Sequence, residues 1–211
     1  MSTRIKICGV TRPDDANTAA RFGADAIGMV FVASSPRCID AACAGEIVAA
    51  LPRETLRVGL FLDPARDAVE AVLRDVALDV LQFHGREPAK FCRSFGLPYI
   101  KTLGLANATA DDVKMFVEEY DDAAWLLFDS HAHGEAGGTG KTANWSTLPS
   151  TSNKVMLAGG LAPENVFDAV RLVQPFGVDV SSGVEAQAGV KDPVKIERFI
   201  NEVRRADAAT S

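Results

Sequence analysis

Apolar and polar positions follow two habits along this chain. Short runs of consecutive apolar residues are followed, again and again, by longer stretches in which apolar side chains recur every three to four residues. The first habit is that of a strand buried on both faces, the second that of an amphipathic helix. "IKIC" (5–8) predicts a strand, and Pro13-Asp14 open a helix that closes near Gly23. "DAIGMVF" (25–31) precedes a helix over "DAACAGEIVAAL" (40–51), and "LRVGLFL" (56–62) one opened by Asp63-Pro64. "DVLQFH" (79–84) precedes a helix starting near Glu87, and "YIKTL" (99–103) one at 109–119 with Val113, Phe116 and Val117 on one face. "AWLLFD" (124–129) leads to a glycine-rich loop and a short segment around Trp145. "KVMLA" (154–158) precedes a helix with Pro163 in its first turn, and "GVDVS" (177–181) precedes the last helix, Asp192 to Arg204.

Alternation of this kind predicts an α/β fold with a parallel sheet covered on both sides. Eight such units in 211 residues fit a single closed (β/α)8 TIM barrel better than the runner-up, an open doubly wound sheet. No linker or low-complexity block interrupts the pattern. We therefore expect one barrel domain over residues 1–206 and a loose tail over 207–211.

Composition narrows the function without changing the fold. Apolar residues at 47% and charged residues at 24% suit a soluble globular chain. A net charge of −6 argues against nucleic acid or an anionic membrane as partner. The opening MSTRIKIC lacks the apolar core of a signal peptide, and no run approaches the ~18 apolar residues of a membrane span. Cys8, Cys38, Cys43 and Cys92 form no CxxC, so reduced thiols and a cytoplasmic location are expected. Cys38, Cys43 and Cys92 are expected to pack as small apolar residues.

In a barrel of this kind the chemistry sits at the carboxyl ends of the strands and in the loops that follow. The polar residues there are Cys8, Arg37, Asp63, Gln82, His84, Lys101, Asp129, Asp179 and Ser181. Cys8 stands where a strand hands over to a loop, which is a place for chemistry as much as for packing. After strands seven and eight come "AGGLAPEN" (158–165) and "SSGVE" (181–185). Glycines let the backbone approach a ligand, and amides near a helix N-terminus bind phosphate. Taken singly, each loop is equally well a turn or a helix cap. Together, at the two places where such barrels hold phosphate, they predict a phosphorylated ligand. "GGTGKT" (137–142) is no nucleotide-binding P-loop, because Glu135 stands where its first glycine would fall. It reads instead as a lid over the substrate. His131 and His133 form an HxH pair, but three histidines in all leave a metal site unsupported, and no metal is expected.

"KICG" (6–9), "SPR" (35–37), "QFHG" (82–85), Asp129 with "GGTGK" (137–141), "LAGGLAPENV" (157–166), "VDVSSGVE" (178–185) and "GVKD" (189–192) occur in this order. Taken together they resemble the phosphoribosylanthranilate isomerases, (β/α)8 enzymes of tryptophan biosynthesis. One departure is visible: Ala143-Asn144-Trp145 stands where the family usually has Phe-Asp-Trp. The resemblance implies an Amadori rearrangement of N-(5-phosphoribosyl)anthranilate by general acid–base catalysis, with no cofactor. It implies Asp129 as acid, Cys8 as base and Arg37 as the holder of the anthranilate carboxylate, where a planar fork suits the task better than Lys. Gly159, Gly160, Ser181, Ser182 and Gly183 match the phosphate site; Gln82, His84 and Asp179 lie at matching strand ends without an assigned step. A carboxyl acting as acid must be raised from ~3.9, and a thiol acting as base lowered from ~8.5. Lys6 shares a face with Cys8 two residues on, where it can influence the thiol. The partner implied is a small phosphosugar, with a monomer or homodimer both open. Two other readings stay open: a different phosphosugar isomerase or epimerase barrel, and a non-catalytic phosphate-ligand sensor on the same fold.

Overall fold

A computed structural model describes residues 2–130 and 154–210. Eight parallel strands close into a barrel in sequence order: β1 (Arg4–Ile7), β2 (Ala26–Val30), β3 (Leu56–Phe61), β4 (Val80–Phe83), β5 (Tyr99–Gly104), β6 (Trp125–Asp129), β7 (Val155–Ala158) and β8 (Gly177–Val180). β1 and β8 shut the ring, with Lys6 opposite Asp179 in register. Helices α1 (Pro13–Phe22), α2 (Ala41–Ala50), α3 (Arg66–Asp75), α4 (Ala89–Cys92), α5 (Ala110–Glu119), α6 (Val166–Val173) and α7 (Pro193–Thr210) lie in the connections. The glycine-rich stretch 137–142, His131, His133, Asn144 and the segment around Trp145 fall outside the described residues.

Local chemistry explains the helix ends. α1 opens with Pro at its first position and Asp14 and Asp15 in its first turn, where carboxylates favour the positive end of the dipole. It stops at Gly23, whose φ of 105° is costly for any residue with a Cβ. α5 starts at a reciprocal cap between Thr109 and Asp112. Several boundaries differ from those predicted. α3 begins at Arg66, because Asp63 is held at φ 45°, outside helical space. α6 begins at Val166, Pro163 to Asn165 forming a turn instead. α7 continues to Thr210, so residues 207–210, expected to be loose, are helical. Asp207 there accepts hydrogen bonds from the Thr3 amide and hydroxyl at 3.0 and 2.6 Å. A small antiparallel pair, β9 (Glu185–Gln187) and β10 (Val190–Lys191), was not expected at all.

Strand side chains alternate between two apolar cores. One fills the barrel itself with Ala26, Val58, Val80, Ile100, Trp125, Leu127, Met156 and Ala158. The other lies between barrel and helices and takes the intervening residues, among them Ile5, Ile7, Ile27, Leu81, Phe83, Leu126 and Val178. Phe83 lies in it among other rings, with ring centroids 5.8, 5.9 and 6.3 Å from those of Phe91, Phe95 and Phe61. Truncating such a residue to Ala typically costs ~3–5 kcal/mol. At the level where other strands bring carbon into the barrel, β1 and β8 bring Lys6 and Asp179. That exception positions the site.

Candidate active site

Cys8, Arg37, Gln82, His84, Asp129 and Asp179 line one cavity of about 330 Å³ at the carboxyl-terminal mouth, with Ser181 and Ser182 on its rim. Val30, Val32, Leu60 and Leu62 give it an apolar wall. The thiol from β1 and the carboxyl from β6 therefore face one space from separate sides of the barrel. A larger hollow of about 660 Å³ lies between the loop after β4, the end of β5 and α5. It contains neither Cys8 nor Asp129, so size does not mark the place of the chemistry.

Two strand-end residues singled out in the sequence do not join the cavity. Lys101 pairs in register with Phe83, on the face turned to the helices, and its ammonium donates to Glu87 at 2.7 Å. Asp63 accepts a hydrogen bond from the Arg86 amide and so braces a loop. Thr102, one residue beyond Lys101, has the inward parity and accepts from Gln82 Nε2 at 3.4 Å. Gln82 is fully buried, and its Oε1 finds no hydrogen-bond donor among the described residues.

The loops after β7 and β8 meet closely. Gly159 and Gly160 have φ of 82° and 65°, and a Cβ on Gly159 would collide with Ser130. A Cβ on Gly183 would collide with the Leu161 carbonyl, so only glycine lets these loops touch. Asn165 fixes the first loop, accepting from the Ala162 amide at 2.8 Å and donating to the Gly160 carbonyl at 2.9 Å. The second runs into a tight turn at Ser182–Val184, whose first amides precede any helical acceptor.

Arg37 carries a feature that motif reading missed. Its Nε and Nη2 each donate to a Glu185 carboxylate oxygen at 2.7 Å. Lys191, brought back by the β9–β10 hairpin, donates to Glu185 Oε1 at 2.9 Å and to the Ser181 carbonyl at 3.0 Å. Burial, the largest influence, pushes the Glu185 carboxyl up, but the Arg37 hydrogen bonds and the Lys191 charge outweigh it and hold the group below its usual range. Glu185 and Lys191 stood inside motifs already noted; nothing in one sequence marked them as partners of Arg37.

The thiol has a buried cation beside it. Lys6 has no exposed surface, and its Nζ donates to Asp179 Oδ1 at 2.8 Å. Burial works to lower the ammonium's pKa, and the charges of Asp179 and Cys8 overcome that and raise it. For Cys8 burial is the largest influence and pushes the thiol up; Lys6 opposes this, Asp179 adds to it, and the net direction is upward. The sequence led us to expect a thiol lowered by a neighbouring charge. In this cavity, loss of water around the sulfur outweighs that charge.

Fold and cavity together define a (β/α)8 barrel with a thiol, carboxyl groups and an imidazole at its mouth and paired glycine-rich loops beyond, a layout that suits a phosphosugar isomerase. Residues 5–202 match the family model described as N-(5'phosphoribosyl)anthranilate (PRA) isomerase. An N-(5'-phosphoribosyl)anthranilate isomerase of Halorhodospira halophila is 48% identical over 207 residues, 98% of this chain and 99% of that one. The crystal structure of phosphoribosyl anthranilate isomerase from Thermotoga maritima superposes with a TM-score of 0.85 at 37% identity, covering 96% of this chain and 99% of that one. A phosphoribosyl anthranilate isomerase solved with reduced 1-(o-carboxyphenylamino)-1-deoxyribulose 5-phosphate gives a TM-score of 0.82 at 34% identity, with the same coverage. The chain belongs to the N-(5'-phosphoribosyl)anthranilate isomerase family, and it is an isomerase of tryptophan biosynthesis.

Proposed function

We propose that Asp129 and Cys8 are the acid and base of the Amadori rearrangement that turns N-(5-phosphoribosyl)anthranilate into 1-(2-carboxyphenylamino)-1-deoxyribulose 5-phosphate. Asp129 gives its proton to the furanose ring oxygen as the C–O bond breaks, leaving a protonated Schiff base. The Cys8 thiolate then takes the C2′ proton, acidified by the adjacent iminium, to give an enolamine that tautomerises to the ketone. The iminium is the electron sink, so the step needs no metal or redox cofactor. The observation that carries this reading is that Cys8 and Asp129 line one cavity from separate strands.

The other contacts follow from charge. Arg37, oriented by Glu185 through Nε and Nη2, offers Nη1 to the anthranilate carboxylate. Gly159, Gly160, Ser181, Ser182 and Gly183 receive the phosphate at the meeting of the two loops. The relative solved with the reduced deoxyribulose phosphate supports a ligand with a carboxylate at one end and a phosphate at the other. We assign no chemical step to Gln82 or His84. The barrel and its last helix, which runs on to Thr210, act as one domain in the cytoplasm, as a monomer or homodimer; among the described residues no helix is long and apolar enough to cross a membrane.

The test is loss of fluorescence of freshly made phosphoribosylanthranilate, with circular dichroism as a check on folding. Cys8→Ala and Asp129→Ala each remove one proton-transfer group and should slow turnover by on the order of 10²–10⁴ or more. Near-normal turnover in either folded variant ends the assignment.

A further inference from the structure

We propose that Lys6 is a positioning residue for the base: its ammonium, held by Asp179 beneath the barrel mouth, is the countercharge that lets the buried Cys8 thiol ionise. This rests on Cys8 being the base, and adds a residue that acts through it.

The geometry is specific. A Cβ placed on Gly28 would lie 2.9 Å from Cys8 Sγ and 3.1 Å from Lys6 Nζ, so sulfur and ammonium converge on the space that this glycine leaves empty. Register puts them there. Lys6 is opposite both Ala26 and Asp179, on the inward face of the sheet, and Cys8 follows two residues later with the same parity. A lysine in a barrel interior is costly to bury, and its single carboxylate partner only neutralises it. Its place beneath a thiol gives it a second anion to serve.

Charge counting leaves room for an anion at Cys8. Among the charged side chains that act on Cys8 are Lys6 on β1, Asp179 on β8, Lys191 on β10 and Arg37 in the loop after β2, with Glu185 bound to the last two. Asp129 and His84 lie across the same cavity. On the β1–β8 side, three cations therefore face two carboxylates among the described residues. A thiolate at Cys8 completes the balance, its proton leaving to solvent through the cavity. Lys6 is engaged by Asp179 as Arg37 and Lys191 are by Glu185, and it is Lys6 that also shares the gap over Gly28 with the sulfur.

The experiment titrates Cys8 directly, by the pH dependence of iodoacetamide alkylation followed by mass spectrometry of the Cys8 peptide; exposed Cys38 reports reagent quality in the same sample. Lys6→Met keeps most of the length of the side chain and removes the charge. It should move the thiol's titration to higher pH by about 1–3 units, which is roughly 10- to 1,000-fold slower alkylation near neutrality. Turnover should fall at neutral pH and recover as the pH rises. Asp179→Asn removes the repelling carboxylate and should shift the titration the other way, towards acid. Damage to the fold would not produce opposite shifts. An unmoved titration in Lys6→Met, or shifts of the same sign in both variants, overturns the proposal. If Lys6→Met does not fold, Lys6→Gln is read in its place: an alkaline shift supports the idea, and no shift or an acid one defeats it. If the titration moves as stated while the pH dependence of turnover stays put, it is Cys8 as base that fails.

Discussion

Two buried lysine–carboxylate pairs sit on opposite faces of the same barrel wall. Lys6 meets Asp179 at 2.8 Å inside the barrel, and Lys101 meets Glu87 at 2.7 Å between barrel and helices. By distance and burial they are alike. Their surroundings are not. Glu87 also accepts from the backbone amides of Asp63 and Gly85, and Lys101 donates to the Gly85 carbonyl, so this pair ties the ends of β3, β4 and β5 together with its charges balanced one to one. The Lys6 pair is also balanced one to one, but it lies beside a thiol and a cavity, next to Arg37 and Lys191, which share a single carboxylate. A buried ion pair is thus no sign of function by itself; the face of the sheet and the charge left over decide.

The sharpest way to break the comparison is Lys101→Met. It leaves Glu87 buried without its cation and should lower stability by ~3–5 kcal/mol in urea denaturation. The Cys8 titration should not move. If it shifts as far as in Lys6→Met, the two lysines are not distinguished by the face they occupy.

A smaller effect should appear on acidification. Glu185 has a folded-state pKa held below its usual value by Arg37 and Lys191 despite burial. A depressed carboxyl contributes stability that is fully present above its unfolded value, ~4.3, and is lost as the pH falls through the lower folded value. Wild type should therefore lose stability below about pH 4 more steeply than Glu185→Gln, measured as thermal midpoint against pH. Parallel curves would show that the Arg37–Glu185–Lys191 cluster does not bias this carboxyl.

The smallest expected change sharpens the cavity side. Gln82→Met removes a buried oxygen that has no hydrogen-bond donor among the described residues, so the melting temperature should stay level or rise slightly. KM should increase if a donor on the substrate is what Gln82 Oε1 serves. A clear fall in melting temperature would place the role of Gln82 in the fold.

Much of the molecule was legible in one sequence. The barrel followed from eight apolar runs separated by helical periodicity, and of the polar residues noted at strand ends, Cys8, Arg37, Gln82, His84, Asp129, Asp179 and Ser181 line the cavity. Lys101 shows where that reading fails. It closes an apolar run as Gln82 does, yet one step of parity turns it to the helices, in line with Phe83. Asp63 fails differently: a loop torsion that no pattern announces sets it to cap another loop.

Sequence alone determined the order of elements and the residue types available at each strand end, because period-two and period-3.6 patterns are local and each strand carries its own. Which face of each strand became the inside was decided only when β1 closed on β8. Closure set Lys6 against Asp179, and the β9–β10 hairpin brought Lys191 to the Glu185 that grips Arg37. Those contacts join residues far apart in the chain, and their strength comes from the exclusion of water, which exists only once the barrel has closed.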